Sequence, residues 1–278
     1  MDQPTAHPRV DCHVHILDPH RFPYVDGHQP PSGETGDGTT LTRLLSGNGM
    51  THALLVQPSF YGTDNSAMLD AMASSDGRFK GIAVVAPETS EADLVALKAK
   101  GVVGVRLNLM QGRPDMLCHP GAERFLARLA SLGWFVEVMA DTDTWAEIAD
   151  VLAASGVRLL IDHMGAPELA RGLDQPGFRA VLALGRETDA VVKLSTSQRL
   201  IGRHFPFAGI EIFAAALVTT FGVDRCVWGS NWPLIESGPG CGYAGLLALL
   251  DGWLPEVEKR AQVLGTVPVR LFDFTDFE

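Results

Sequence analysis

Val10-Asp11-Cys12-His13-Val14-His15-Ile16 is the first of eight short β-rich runs in this 278-residue chain, and it carries two histidines two positions apart. Side chains in a strand alternate between faces. That alternation predicts His13 and His15 pointing one way with Asp11 beside them, and Cys12 and Val14 opposite. Two converging imidazoles can ligate a metal, polarise a carbonyl or relay a proton. As an isolated pair they could equally sit on a wet edge strand.

Seven further runs follow, over 53–57, 81–85, 104–108, 135–139, 159–162, 191–194 and 226–229. Those reading ALLVQ, GIAVV and RLLID are nearly all apolar, as strands covered on both faces should be. Helical spacing falls between them, over 40–46, 64–75, 90–100, 121–132, 142–154, 177–185, 208–221 and 243–254. The 90–100 segment has Ser90 as an N-cap, acids in its first turn, lysines in its last and Gly101 as a stop. Thr63-Asp64-Asn65 is a cap signal for the helix after strand two. A β-then-α unit repeated eight times predicts an α/β fold, a (β/α)8 TIM barrel. A doubly wound open sheet is the alternative, and no Gly-x-Gly-x-x-Gly follows the first strand to support it. No boundary signal interrupts the pattern, so residues 1–278 read as one barrel domain. The Pro-, Gly- and His-rich stretch over 19–39 reads as a loop inserted after strand one, at the barrel end where loops carry function.

Hydrophobic residues make up 46% of the chain and charged residues 20%, which supports a large core. The 33 acidic and 22 basic residues give a formal charge of −11. That argues against nucleic acid or an anionic membrane as the main partner and leaves room for a small anionic substrate held by local arginines. Cys12, Cys118, Cys226 and Cys241 are scattered without a Cys-x-x-Cys pair, so neither a zinc ribbon nor a disulfide framework is expected. The start, MDQPTAHPRV, lacks the apolar stretch of a signal peptide, and no apolar run reaches membrane-span length. A cytoplasmic protein with reduced thiols is therefore expected. Homodimers are common among soluble enzymes, although no stretch names an interface.

In a barrel, chemistry belongs at the C-terminal strand ends. Those ends carry His13 and His15, then Gln57-Pro58-Ser59-Phe60-Tyr61-Gly62-Thr63-Asp64-Asn65, then Arg106-Leu107-Asn108 with Arg113 beyond. Met139 and Asp141 follow strand five, Asp162-His163-Met164-Gly165 strand six, Lys193-Leu194-Ser195 and Arg199 strand seven. Strand eight gives Trp228-Gly229-Ser230-Asn231-Trp232-Pro233. Together these motifs, in this order, resemble the amidohydrolase superfamily, and within it the 2-pyrone-4,6-dicarboxylate lactonases and their sugar-lactonase and muconolactonase relatives. The resemblance runs from about Val10 to about Phe274.

The resemblance implies a (β/α)8 barrel that hydrolyses a small carboxylated lactone or related cyclic ester, in the pyrone lactonases without a metal. It implies that His13, His15 and His163 polarise the lactone carbonyl, that a strand-eight aspartate activates water, and that Arg106, Arg113 and Arg199 hold carboxylates. Ser59, Tyr61, Met139 and Trp232 join them as candidate substrate-binding residues. The chemistry agrees with these roles. Ester hydrolysis needs donors where the oxyanion develops and a base near the water, and an arginine fork can donate two parallel bonds to a carboxylate.

The chain departs from that pattern at strand eight, where Asn231 stands in the position of the aspartate. An amide does not titrate near neutral pH. Asn231 therefore leaves three readings open. The scaffold has shifted to a non-hydrolytic reaction such as a lyase, decarboxylase or cyclase. The barrel is disarmed, naturally or by design, and binds a small acid. Or Asp141, His163 or Asp64 has taken over as base. Ala166, Leu234 and Met139 replace an arginine, a histidine and a tyrosine of the pyrone lactonases, which predicts a less acidic, more apolar substrate. No metal or other cofactor is expected. A zinc ion, the alternative, would take His13, His15 and His163 as its three protein ligands.

Overall fold

The computed structural model describes residues 7–25, 35–110, 117, 121–196, 205–235 and 240–275. Eight parallel strands run in the order of the chain: β1 (Val10–Val14), β2 (His52–Val56), β3 (Phe79–Ala83), β4 (Val102–Asn108), β5 (Phe135–Met139), β6 (Arg158–Ile161), β7 (Val191–Leu194) and β8 (Cys226–Trp228). The ring closes just past β8, where Val14 bridges Trp232, His15 N–H donates to Trp232 O and Asn231 N–H donates to His13 O. The architecture is the (β/α)8 barrel, and the open-sheet alternative fails on this closure.

Among the described residues the helices are α1 (Gly38–Gly47), α2 (Ser66–Ala73), α3 (Glu91–Ala99), α4 (Ala122–Ser131), α5 (Thr142–Ala154), α6 (Pro176–Glu187), α7 (Ile210–Phe221) and α8 (Tyr243–Trp253), followed by α9 (Val257–Ala261) and α10 (Val267–Phe272) around a π-turn. Their starts follow local chemistry. Ser90 accepts from Asp93 N–H ahead of α3, Asp141 from Thr144 N–H ahead of α5, and Asp37 from Thr40 N–H ahead of α1. Pro176 occupies the first turn of α6.

The strands divide two cores. Alternate residues such as Ala53, Leu55, Val136, Val138, Val192 and Trp228 pack outward against the helices. Val10, Cys12, Leu54, Val56, Ile82, Phe135, Leu160, Val191 and Val227 fill the barrel interior. Val267, Leu271 and Phe272 of α10 join that inner cluster and plug the N-terminal mouth, with the Phe272 and Phe135 rings 5.1 Å apart. No element was expected beyond residue 254, so this plug is a correction.

Two of the boundaries that differ from expectation share a reason. β3 ends at Ala83 rather than at 85, and α2 begins at Ser66 rather than at 64. Asn65 Nδ2 donates to Val84 O while its Oδ1 accepts from Val84 N–H, so the side chain ends the β3 ladder. It is therefore spent on the strand and does not cap α2; Asp64 Oδ1 accepts from Ser66 N–H instead.

Candidate active site

β1 does not alternate through its length. Its pairing with β2 steps from Asp11↔Ala53 to Val14↔Leu55, three residues against two, which is a β-bulge. Cys12 and His13 consequently both face inward, and Asp11 faces out. The expected grouping of Asp11 with the histidines and of Cys12 opposite is thus reversed. Buried Asp11 accepts from Tyr243 Oη on α8 (2.9 Å), Ser230 N–H (3.0 Å) and His13 N–H (3.1 Å), tying β1, β8 and α8 together. Gly229 lets the bulge approach β8, because a Cβ there would lie 2.5 Å from His13 Cβ.

Beneath the histidines lies a buried ionic floor. Lys193 Nζ on β7 donates to Glu137 Oε2 on β5 at 2.5 Å and to His13 Nδ1 at 3.0 Å. Arg106 on β4 donates to Asp162 Oδ2 at 2.7 Å, and its Nε lies 3.4 Å from Glu137 Oε1. Asp162 Oδ1 is 2.9 Å from His13 Nδ1. Glu137, Lys193 and His13 are fully buried. Two cations and two carboxylates balance, as burial of charge demands. Burial raises the Glu137 carboxyl to about 7 against the pull of Lys193. Burial alone would raise Asp162 too, but His13, His163, Arg106 and Lys193 hold it well below the usual carboxylate range.

The imidazoles are neutral near pH 7. Burial lowers His13 well below its ordinary value, His15 to about 3 and His163 to about 4. His15 Nδ1 lies 2.7 Å from Val56 O, and the two Nε2 atoms of His13 and His15 lie 3.3 Å apart. His163 Nδ1 meets Ser195 Oγ at 3.0 Å. His163 begins a run of four left-handed residues, with φ of 47° at His163, 57° at Met164, 75° at Gly165 and 48° at Ala166. Such strain in non-glycine residues clusters at functional sites.

Above the floor is a rim. His15 is 7% exposed, Arg106 6% and His163 4%, while Met139, Asn231 and Trp232 are half-buried. Met139 Sδ contacts Arg106 Nη2 at 3.0 Å. Exposed Ser59 accepts from Asn108 Nδ2. Asn231 takes a left-handed backbone, φ 62°, which asparagine tolerates better than most residues. Trp232 packs over Gly36 of the loop after β1. Tyr61 is not on this rim: its ring is buried, and its hydroxyl accepts from Asp18 N–H, holding the exit of β1. Asp64 and Asp141, the substitute bases considered for Asn231, accept backbone N–H groups at helix starts. His163 remains. Arg113 and Arg199 lie outside the described residues.

A metal ion at this donor set would have to compete with cations already in place. The described residues whose ligand atoms gather within 4.8 Å of one another are His13, Asp162 and His163, so Asp162 stands where His15 was expected. Asp162 Oδ2 already binds the Arg106 guanidinium and His13 Nδ1 the Lys193 ammonium. A divalent ion would have to displace or face two buried cations.

Sequence reasoning placed His13, His15, His163, Arg106, Met139 and Asn231 together, and the fold does bring them to one end. It passed over Glu137, and left Lys193 and Ser195 without a role. A signal existed: a lone charge in FVEVM and in VVKL, inside strands buried on both faces, is rare unless paired.

The amidohydrolase family model matches residues 10–274, and the chain belongs to that family. A 2-pyrone-4,6-dicarboxylate hydrolase of Comamonas testosteroni is 30% identical over 276 residues, covering 95% of this chain and 89% of that protein. A 4-sulfomuconolactone hydrolase of Hydrogenophaga intermedia is 30% identical over 272 residues, covering 94% and 88%. The crystal structure of a probable 2-pyrone-4,6-dicarboxylic acid hydrolase from Acinetobacter baumannii, with citric acid bound, matches with a TM-score of 0.86 at 30% identity, covering 96% of this chain and 99% of that one.

Proposed function

We propose that this amidohydrolase-family chain hydrolyses a small lactone bearing a carboxylate, without a metal ion. The observation that carries the reading is the set of neutral, buried imidazoles above a charge-balanced floor at the C-terminal end of the barrel. The relatives support the substrate class, being hydrolases of lactones that bear acidic groups, and one relative's structure holds a tricarboxylic acid.

His163 acts at the reacting carbon. Ser195 occupies its Nδ1, which leaves Nε2 for the substrate carbonyl or the attacking water. A neutral imidazole can donate from one nitrogen and accept at the other. Water adds to the lactone carbonyl, the ring C–O bond breaks, and the departing alkoxide takes a proton. Arg106, held by Asp162, borders the place of the substrate carboxylate, and Arg113 and Arg199 are its proposed companions in holding that group. Met139 and Trp232 give that rim an apolar character. A cytoplasmic homodimer is the proposed setting; among the described residues no helix is long and apolar enough to cross a membrane.

Asn231 favours a second reading, in which the same site rearranges or decarboxylates its substrate without activating water. One experiment separates the two: a panel of carboxylated lactones incubated in ¹⁸O-water with chelator present. The hydrolase reading expects ring-opened acid carrying one ¹⁸O atom. Turnover without ¹⁸O supports the second reading, turnover abolished by chelator ends the metal-free claim, and no turnover across the panel leaves a barrel that only binds acids.

A further inference from the structure

We propose that Lys193 is a positioning residue: by donating to His13 Nδ1 it fixes the tautomers of both strand-one histidines and so closes their paired Nε2 atoms to a divalent cation.

The assignment starts from a backbone carbonyl. Val56 O can only accept, so His15 Nδ1 carries the proton in their 2.7 Å contact. A neutral imidazole has one N–H, so His15 Nε2 is a lone pair. His13 Nε2, 3.3 Å away, must then be the donor between them. That leaves His13 Nδ1 as an acceptor, and the ammonium of Lys193 is the donor 3.0 Å from it. Every proton in the chain Lys193–His13–His15–Val56 therefore points the same way. Glu137 anchors its head through the 2.5 Å bond to Nζ.

The opposite arrangement would protonate His13 Nδ1 toward Asp162 and expose both Nε2 lone pairs. Carboxylate–histidine pairs orient metal ligands in that way. The spacing alone would suit it, since two nitrogens on a tetrahedral zinc lie about 3.4 Å apart. Two observations decide against it. Asp162 Oδ1 lies 2.9 Å from His13 Nδ1 yet has no hydrogen-bond partner among the described residues. Lys193 Nζ meets the same nitrogen in hydrogen-bonding geometry, and an ammonium has no lone pair with which to accept a proton.

The inference rests on the metal-free reading of the site, but its test uses neither substrate nor turnover. Nitrogen-15 spectra of imidazole-labelled protein read each tautomer directly. The expected wild-type result is His13 protonated at Nε2 and His15 at Nδ1. His13 protonated at Nδ1, or averaging between forms, overturns the proposal, and this arm needs no variant. The charge-balanced pair Glu137→Gln with Lys193→Met should release the His13 tautomer and raise zinc or cobalt affinity by about ten- to a hundredfold, the scale on which outer-shell partners tune metal sites. Lys193→Arg, which keeps a donor, should restore the wild-type pattern. A folded double variant with unchanged tautomer and unchanged metal affinity would show that Lys193 sets neither. Lactone turnover can fail with this spectrum intact, so the two readings fall separately.

Discussion

Asp11→Asn isolates one titration. Burial raises the Asp11 carboxyl from 3.8 to about 6, against hydrogen bonds from Ser230, His13 and Tyr243 that pull it down. Between those values the folded protein holds a proton that the unfolded chain has released. Stability falls with rising pH wherever the folded state binds more protons. The contribution is thus complete below about pH 4 and lost as pH rises through about 6, an interval worth about 3 kcal/mol for a shift of about two units. Asparagine keeps the geometry: its Oδ1 can still accept from His13 and Ser230 N–H, and its amide can donate to the Tyr243 hydroxyl oxygen. It cannot titrate. The stability of Asp11→Asn relative to wild type should therefore rise by about 2.5 kcal/mol between pH 4 and pH 7. Urea unfolding of both proteins at half-unit steps measures this difference, and titrations common to both, such as that of Glu137, cancel. A difference that stays flat, or falls, would refute burial as the force acting on this carboxyl.

Asn231→Asp keeps the side-chain shape and suits the left-handed backbone, so lactone hydrolysis should rise by about 10²–10⁴ in kcat if a base is what the site lacks; steady-state kinetics on the substrate found by the panel checks it. Lys193→Met leaves Glu137 buried without its cation and should cost about 3–5 kcal/mol by urea unfolding, with much of that recovered in the double variant with Glu137→Gln. Gly229→Ala places a methyl 2.5 Å from His13 Cβ and should cost about 1–3 kcal/mol while lowering activity, because the bulge must move.

Much of the barrel is legible locally. FVEVM and VVKL are strands with the bounds their apolar pattern predicts, and α5 starts where Asp141 can cap it. Propensity and capping act over a few residues, so a short window contains them. The edges of β3 and α2 were not legible, because Asn65 chooses between a cap and a strand 19 positions away. The plug formed by α10 was missed as well, its apolar residues being meaningful only against the barrel mouth.

The site divides along the same line. Its residue types and its end of the barrel follow from the sequence: two histidines at the end of the first strand, an arginine in the fourth, Asp162-His163 after the sixth, and an asparagine after the eighth. Which way those side chains point does not. One extra residue in β1 turns Cys12 and His13 to the same face, and nothing in VDCHV announces it. Nor does any local pattern pair Lys193 with His13 across 180 positions, or show that Arg106 is engaged by Asp162 before a substrate arrives. Strand alternation and helix caps are decided by neighbours in the chain. Proton positions and charge balance are decided by neighbours in space, and those exist only once the barrel has closed.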